Sequence, residues 1–339
     1  PGEILDRRYR IITDGLPLDI GITYNAFDMQ RVCVVVVEVL ASRYGQGADA
    51  LVHLRRHLQA TPRRVHPLLI DTDGVGLVGG SLYTVRRQIG GETVSGMLAR
   101  DGKLRVGLAV QTASDLCHVL AALHVTGHVH GGLSSSSVLV QDGALVAVTD
   151  AGLLPALHTR SSATGRPWGR IPYLSPEHAS GADIWPTSDV YVVGLLLYEM
   201  LTGCLPFDAD DEAELVLWHV KDDPPPVQAH APDTPNHLAR IVHRALAKDP
   251  TQRFQNGSEM AQALSLNLHA GLAREAPRLE SPQPPSARLQ LIVPPVSGDD
   301  FPSTLPSLAV PAPTRGVDDQ KSGARTDCII VALLIAGIM

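Results

Sequence analysis

The sequence predicts an α+β fold in which a small β-rich part precedes a larger helical part. Short alternating and β-branched segments occupy the first quarter of the chain, and long apolar segments with helical spacing follow to about residue 268. Near Gly271 the regular recurrence of apolar residues stops and a proline-rich stretch begins. With 339 residues, 44% of them hydrophobic, the chain is long enough for one large domain or two small ones and too apolar to be wholly disordered.

In chain order, residues 9–12 and 22–27 read as short strands. Residues 32–40 form a continuous β-branched run, the pattern of a strand buried on both faces. Residues 48–59 place Leu51, Leu54 and Leu58 at helical spacing, with Asp49 as a candidate cap. Residues 76–85 read as a strand pair and 106–125 as a long apolar helix. Residues 138–140 and 145–148 flank Asp142-Gly143, a dipeptide suited to a tight hairpin. Residues 189–202 are apolar nearly all round, as expected of a buried helix. Helices over 213–220, 236–247 and 257–268 complete the folded part.

Residues 277–313 hold ten prolines in 37 positions and read as an extended linker. Lys321 and Arg325 then precede an uncharged run over 328–339. A bilayer span needs roughly 20 apolar residues. With nothing apolar left to pack on, the run reads as the first part of a membrane-spanning helix rather than a short core helix. The two basic residues would place the preceding domain in the cytoplasm. The chain starts at Pro1 and carries no signal-peptide pattern, so it reads as a fragment.

Composition excludes several functions. Twenty-eight basic against 35 acidic residues give a net charge of −7, which argues against a nucleic-acid partner. Cys33, Cys117, Cys204 and Cys328 form no C-x-x-C pair, which excludes a disulfide scaffold and suits a reducing compartment. His118, His124, His128 and His130 cluster without the Cys or carboxylate spacing of a metal site.

Three motifs of the second half carry a resemblance. They are Tyr173-Leu-Ser-Pro-Glu177; Ser188-Asp-Val-Tyr-Val-Val-Gly194 running into Leu197-Tyr-Glu-Met-Leu-Thr-Gly203; and Ala245-Leu-Ala-Lys-Asp-Pro-Thr-Gln-Arg253-Phe. They resemble the activation-segment end, the central buried helix and the closing helices of bacterial membrane-anchored Ser/Thr protein kinases. The resemblance covers about residues 5–271. It implies a bilobal kinase-like fold, with a small β-rich N-lobe over 5–87 and a larger helical C-lobe over 88–272. A juxtamembrane linker over 273–327 and the start of a transmembrane helix over 328–339 would follow. It also implies that Glu177 pairs with Arg253, that Asp189 holds the catalytic-loop backbone, and that His130 is a packing histidine.

The catalytic positions depart from the family. Aligned on Tyr9 and Tyr24, Leu16 and Leu18 stand where the phosphate loop has its first two glycines, and only Gly21 remains. Asp19 falls where backbone N–H groups would cradle phosphate, so the segment reads as a hairpin turn. Glu38 replaces the phosphate-binding lysine, inverting the charge, and Val36 replaces a small residue at the adenine roof. With no acidic residue between Asp49 and Asp71, a reversed pair of Glu38 with Arg55 or Arg56 is conceivable, against a solvated basic face. In the catalytic loop, Gly132 stands for the base aspartate, Ser134 for the lysine and Ser137 for the metal-binding asparagine. Asp150 alone keeps a metal-binding role, as a weak relic or turn cap.

These losses lead to an expectation of a membrane-anchored cytoplasmic pseudokinase, a non-enzymatic signalling or scaffold module needing neither ATP nor Mg²⁺. Thr159 and Thr164 are candidates for phosphorylation in trans by an active Ser/Thr kinase, which would recruit a phosphothreonine-reading partner. The alternative is a divergent active Ser/Thr kinase using ATP and Mg²⁺.

Overall fold

In the computed structural model, residues 1–18, 20–157 and 170–272 are described, the last six of these by backbone alone. The chain divides into two units, Pro1–Arg278 and Leu279–Met339. The expected linker and membrane helix lie outside the described residues.

The first part is a sheet of seven antiparallel strands. β1 (Ile4–Leu5), β2 (Tyr9–Ile11), β3 (Leu16–Leu18), β4 (Gly21–Asp28) and β5 (Cys33–Leu40) precede helix α1 (Gly47–Ala60); β6 (Gly74–Val78) and β7 (Ser81–Arg87) follow it. The strand order is β1-β2-β4-β5-β7-β6, with β3 pairing on β4. The β-branched run of β5 is explained by its two covered faces. Val35 and Val37 pack with Leu5, Tyr9, Ile11, Ala26, Tyr83 and Val85 on one face. On the other, Leu40 joins Ile20, Tyr44, Leu54 and Leu82.

The second part begins with β8 (Glu92–Thr93) and α2 (Val94–Asp101), where the Thr93 side chain accepts from the Gly96 N–H. α3 (Val106–Val125) follows, then the hairpin of β9 (Val138–Gln141) and β10 (Ala144–Val148). At the hairpin turn Asp142 and Gly143 both take positive φ, 51° and 78°, the twist that a two-residue turn needs. Next come α4 (Leu153–Leu157), α5 (Pro176–Ala179), α6 (Pro186–Thr202), α7 (Glu212–Lys221), α8 (Val227–His230), α9 (Asn236–Ala245) and α10 (Gly257–Leu272). α3 and α6 form the centre of the largest core, with Leu116, Leu120, Val190, Leu195 and Leu197 all within it.

Among the described residues, α3 is the one helix long and apolar enough to cross a bilayer, but it packs as a core helix. Close crossing is enabled at Gly194 of α6, where a Cβ would lie 2.9 Å from that of Ala245. The result is an α+β bilobal fold, a curled sheet followed by a helical lobe. One expectation changes: α1 is preceded by Gln46, which makes no side-chain cap, and Asp49 lies within its first turn.

Candidate functional site

The site is built between the sheet and the helical lobe, and its frame is a set of buried ion pairs. Arg253 follows a short turn over 250–252, is fully buried, and donates from both terminal nitrogens to Glu177, at 2.8 and 2.9 Å. It also donates to the carbonyls of Thr187, Ala247 and Lys248. Asp189, at the start of α6, accepts from the backbone N–H groups of His130 at 2.8 Å and Gly131 at 2.9 Å, and from His124 Nε2 at 2.8 Å. Burial raises the Asp189 carboxyl, but His124 beside it and these donors carry it below the usual range. His130 is buried, with Nε2 donating to the Thr149 carbonyl and Nδ1 accepting from the Gly132 N–H. Burial also lowers its pKa, which favours the neutral ring.

The loop after His130 closes on itself. The Ser137 hydroxyl donates to the Ser134 carbonyl at 2.9 Å and accepts the Ser134 N–H at 3.0 Å. Ser134 and Ser136 share a hydroxyl contact at 2.8 Å. Ser135 meets the Tyr173 hydroxyl at 2.8 Å, and Tyr173 donates to Glu199 at 2.8 Å. All four serines are buried. Gly132 carries no side chain, and a Cβ there would fall 2.9 Å from Leu154.

Asp150 follows β10 with a positive φ of 71°. Its Oδ2 lies 2.8 Å from Arg170 Nη2, and Arg170 Nη1 donates to the Gly132 carbonyl. Both side chains are more than nine-tenths buried. Burial pushes the Asp150 carboxyl up, but Arg170 and then Arg86 hold it below its ordinary range. Sequence reasoning missed Arg170. It lies 20 residues from Asp150 and 38 from Gly132, and its one available signal was an arginine three residues before the Tyr173-Leu-Ser-Pro-Glu177 motif.

On the sheet side, Glu38 is buried and lies in register with Thr23 on β4 and Thr84 on β7. Val36 is in register with Asn25 and Arg86. Among the described residues no ion pair joins Glu38 to Arg55 or Arg56, and the alternative of a solvated basic face fits their exposure. Arg55 and Arg56 are exposed, Arg55 donates to the Val75 carbonyl, and α1 turns Leu54 inward instead. The segment aligned with the phosphate loop is a tight hairpin: Leu18 pairs with Gly21, and Ile20 is fully buried. Gly21 has a local cause, since a Cβ there would lie 2.1 Å from the Val39 carbonyl. Asp19, Thr159 and Thr164 lie outside the described residues.

The residues present do not fit a magnesium-bound triphosphate. The carboxylate is engaged by a guanidinium, the Ser137 hydroxyl is turned into its own loop, and Gly132 offers no proton acceptor. The clustered histidines do not converge either. Among the described residues, no group of three or more His, Cys, Asp or Glu side chains could hold a metal ion.

Residues 23–262 match the sequence profile of the family described as protein tyrosine and serine/threonine kinase. The chain is 30% identical over 310 residues to serine/threonine-protein kinase PknB of Mycolicibacterium smegmatis, covering 89% of this chain and 48% of that protein. It is 28% identical over 303 residues to PknA of Mycobacterium tuberculosis, covering 86% and 68%. Against a probable serine/threonine-protein kinase of Clostridium acetobutylicum it is 28% identical over 265 residues, spanning 40% of that protein. The chain thus spans less than half of two of these relatives. Among solved structures, the PknI kinase domain of Mycobacterium tuberculosis superposes with a TM-score of 0.62 at 20% identity, covering 78% of this chain and 98% of that one. That likeness speaks to the fold.

Proposed function

The chain belongs to the protein tyrosine and serine/threonine kinase family, and from that membership we propose that it is a pseudokinase, a signalling and docking module that does not transfer phosphate. The observation that carries this reading is the Arg170 guanidinium lodged between Asp150 and the Gly132 carbonyl. Family catalysis needs a base, a metal and a lysine at these positions. This chain instead puts glycine at 132, serine at 137 and glutamate at 38. In this reading the module sits at the cytoplasmic face of a membrane, and Thr159 or Thr164, phosphorylated in trans, recruits a phosphothreonine-reading protein. Replacing both threonines by alanine should abolish that recruitment in cells; unchanged recruitment would rule it out.

The direct test is nucleotide. A site with a dissociation constant near 10 μM would add about 2.7 kcal/mol at a hundredfold excess of ligand. The expected result is no shift of melting temperature with millimolar Mg-ATP and no phosphate transfer to protein. A second reading, a divergent active Ser/Thr kinase, is favoured by the names of the relatives and by the retained Asp150. A clear shift together with phosphotransfer lost in Asp150→Ala would establish it.

A further inference from the structure

Asp150 keeps the one metal-binding carboxylate of the family pattern, yet its charge is already answered from within the chain. Arg170 Nη2 lies 2.8 Å from Asp150 Oδ2, and the same guanidinium reaches the Gly132 carbonyl with Nη1. The planar fork can hold both acceptors at once, which a lysine ammonium would do less well. The Arg170 backbone is anchored through Tyr173. Its carbonyl accepts the Tyr173 N–H at 2.7 Å, and the Tyr173 hydroxyl is held by Ser135 and Glu199, each at 2.8 Å. The pair is nearly dry, with side-chain exposures of 4% for Arg170 and 9% for Asp150. The other charged or titratable groups acting on Asp150 are Arg86, from β7, and His130. Two guanidinium groups therefore bear on the single carboxylate.

We propose that Arg170 is the resident cation of this site: it stands where a divalent metal ion would need to approach Asp150, and it keeps closed a latent divalent-cation site made by Asp150 and the Gly132 carbonyl. The proposal rests on the non-catalytic reading above and goes beyond it, because it assigns the exclusion of metal to one side chain. A hard dication prefers carboxylate and carbonyl oxygens, and here Arg170 donates to one Asp150 oxygen and to the Gly132 carbonyl. Loss of the guanidinium would free two oxygens in a buried setting and leave the carboxylate with Arg86 acting on it but without its direct hydrogen-bonded partner, which opens a place for a cation.

The experiment uses Mn²⁺ alone as probe with the full chain, read by water-proton relaxation and by melting temperature. Wild type should show no saturable Mn²⁺ binding, and Asp150→Asn should behave identically to it. Arg170→Gln should bind one Mn²⁺ per chain with a dissociation constant at least tenfold below any seen in wild type. Arg170→Lys should still exclude the ion, and Asp150→Asn combined with Arg170→Gln should lose the gained site. Two results would overturn the proposal: saturable Mn²⁺ binding by wild type that Asp150→Asn removes, or a folded Arg170→Gln that binds none. If Arg170→Gln does not fold, Arg170→Met, which keeps the apolar stem of the side chain, takes its place with the same expected and overturning results. Phosphotransfer assayed on the same samples separates the two readings. Transfer by wild type overturns the pseudokinase reading, whereas a folded but metal-free Arg170→Gln removes only the role given to Arg170.

Discussion

Asp28 is 1% exposed at the β4–β5 turn, and its negative charge is met by four donors. Arg8 reaches it with Nε at 2.9 Å and Nη2 at 2.7 Å, and the N–H groups of Gln30 and Arg31 close on it at 3.0 and 3.2 Å. The Arg8 hydrogen bonds outweigh burial and bring the carboxyl from 3.8 to about 2. A depressed carboxyl stabilises the fold fully above its unfolded value and loses that contribution as pH falls through the folded one. Asp28→Asn should therefore lower stability by on the order of 2 kcal/mol at pH 7, with the gap to wild type narrowing from about pH 4 downward. Urea midpoints of the two proteins at pH 7 and pH 3 check this, and a gap independent of pH would refute it. The legibility of the site at this scale was uneven. The substitutions at 38, 132, 134 and 137 were readable because each is one residue set against a fixed motif. Arg170 was not, because its role exists only where distant segments meet. Gly21 was legible as a surviving glycine, but its cause is the Val39 carbonyl 2.1 Å from where its Cβ would be.

The Glu177–Arg253 pair ties several elements to one another. Arg253 joins α5, the start of α6 and the segment after α9 through five donated hydrogen bonds, while Glu177 also accepts from Ser188. Burial would raise the Glu177 carboxyl, but Arg253 carries it below the ordinary range, so the pair is charged at neutral pH. Arg253→Met leaves a largely buried carboxylate with one hydroxyl donor and should destabilise by about 3–5 kcal/mol. Combining it with Glu177→Gln should cost less than the sum of the singles, as expected of a coupled pair. Denaturant melts of the four proteins measure this, and strict additivity would deny the coupling. Elements with long periodic patterns were legible: α3, α6, β5 and the β9–β10 hairpin lie where spacing put them. β1, β3, β8, α4, α5 and α8 are each five residues or fewer, too short for a period to register. α1 was legible from its leucine spacing, and Leu54, buried with Leu51 and Leu58 packed against the same cluster, lies on the face that spacing marks.

The two lobes of Pro1–Arg278 are joined by an apolar cluster. Ile20, Leu40, Tyr44, Leu54 and Leu82 from the sheet side pack with Leu153, Leu154 and Ala156 of α4, and all eight are buried. Ile20 sits at the tip of the hairpin aligned with the phosphate loop, and its carbonyl accepts the Ala41 N–H at 2.9 Å, which holds that tip against the sheet. Kinase lobes open and close about a bound ligand by hinge motion. Here opening would expose a continuous dry surface, so the lobes should unfold as one cooperative unit. Native-state hydrogen exchange tests this with the Val37 amide in β5 and the Leu120 amide in α3, which should share one opening free energy in wild type. Leu154→Ala removes a side chain that is 1% exposed and should destabilise by about 2–5 kcal/mol. Because that loss falls on the joint between lobes, the Val37 amide should lose more protection than the Leu120 amide. If the two amides already open separately in wild type, the cluster is not what unites the lobes, and the sheet lobe moves on its own as in a ligand-gated cleft.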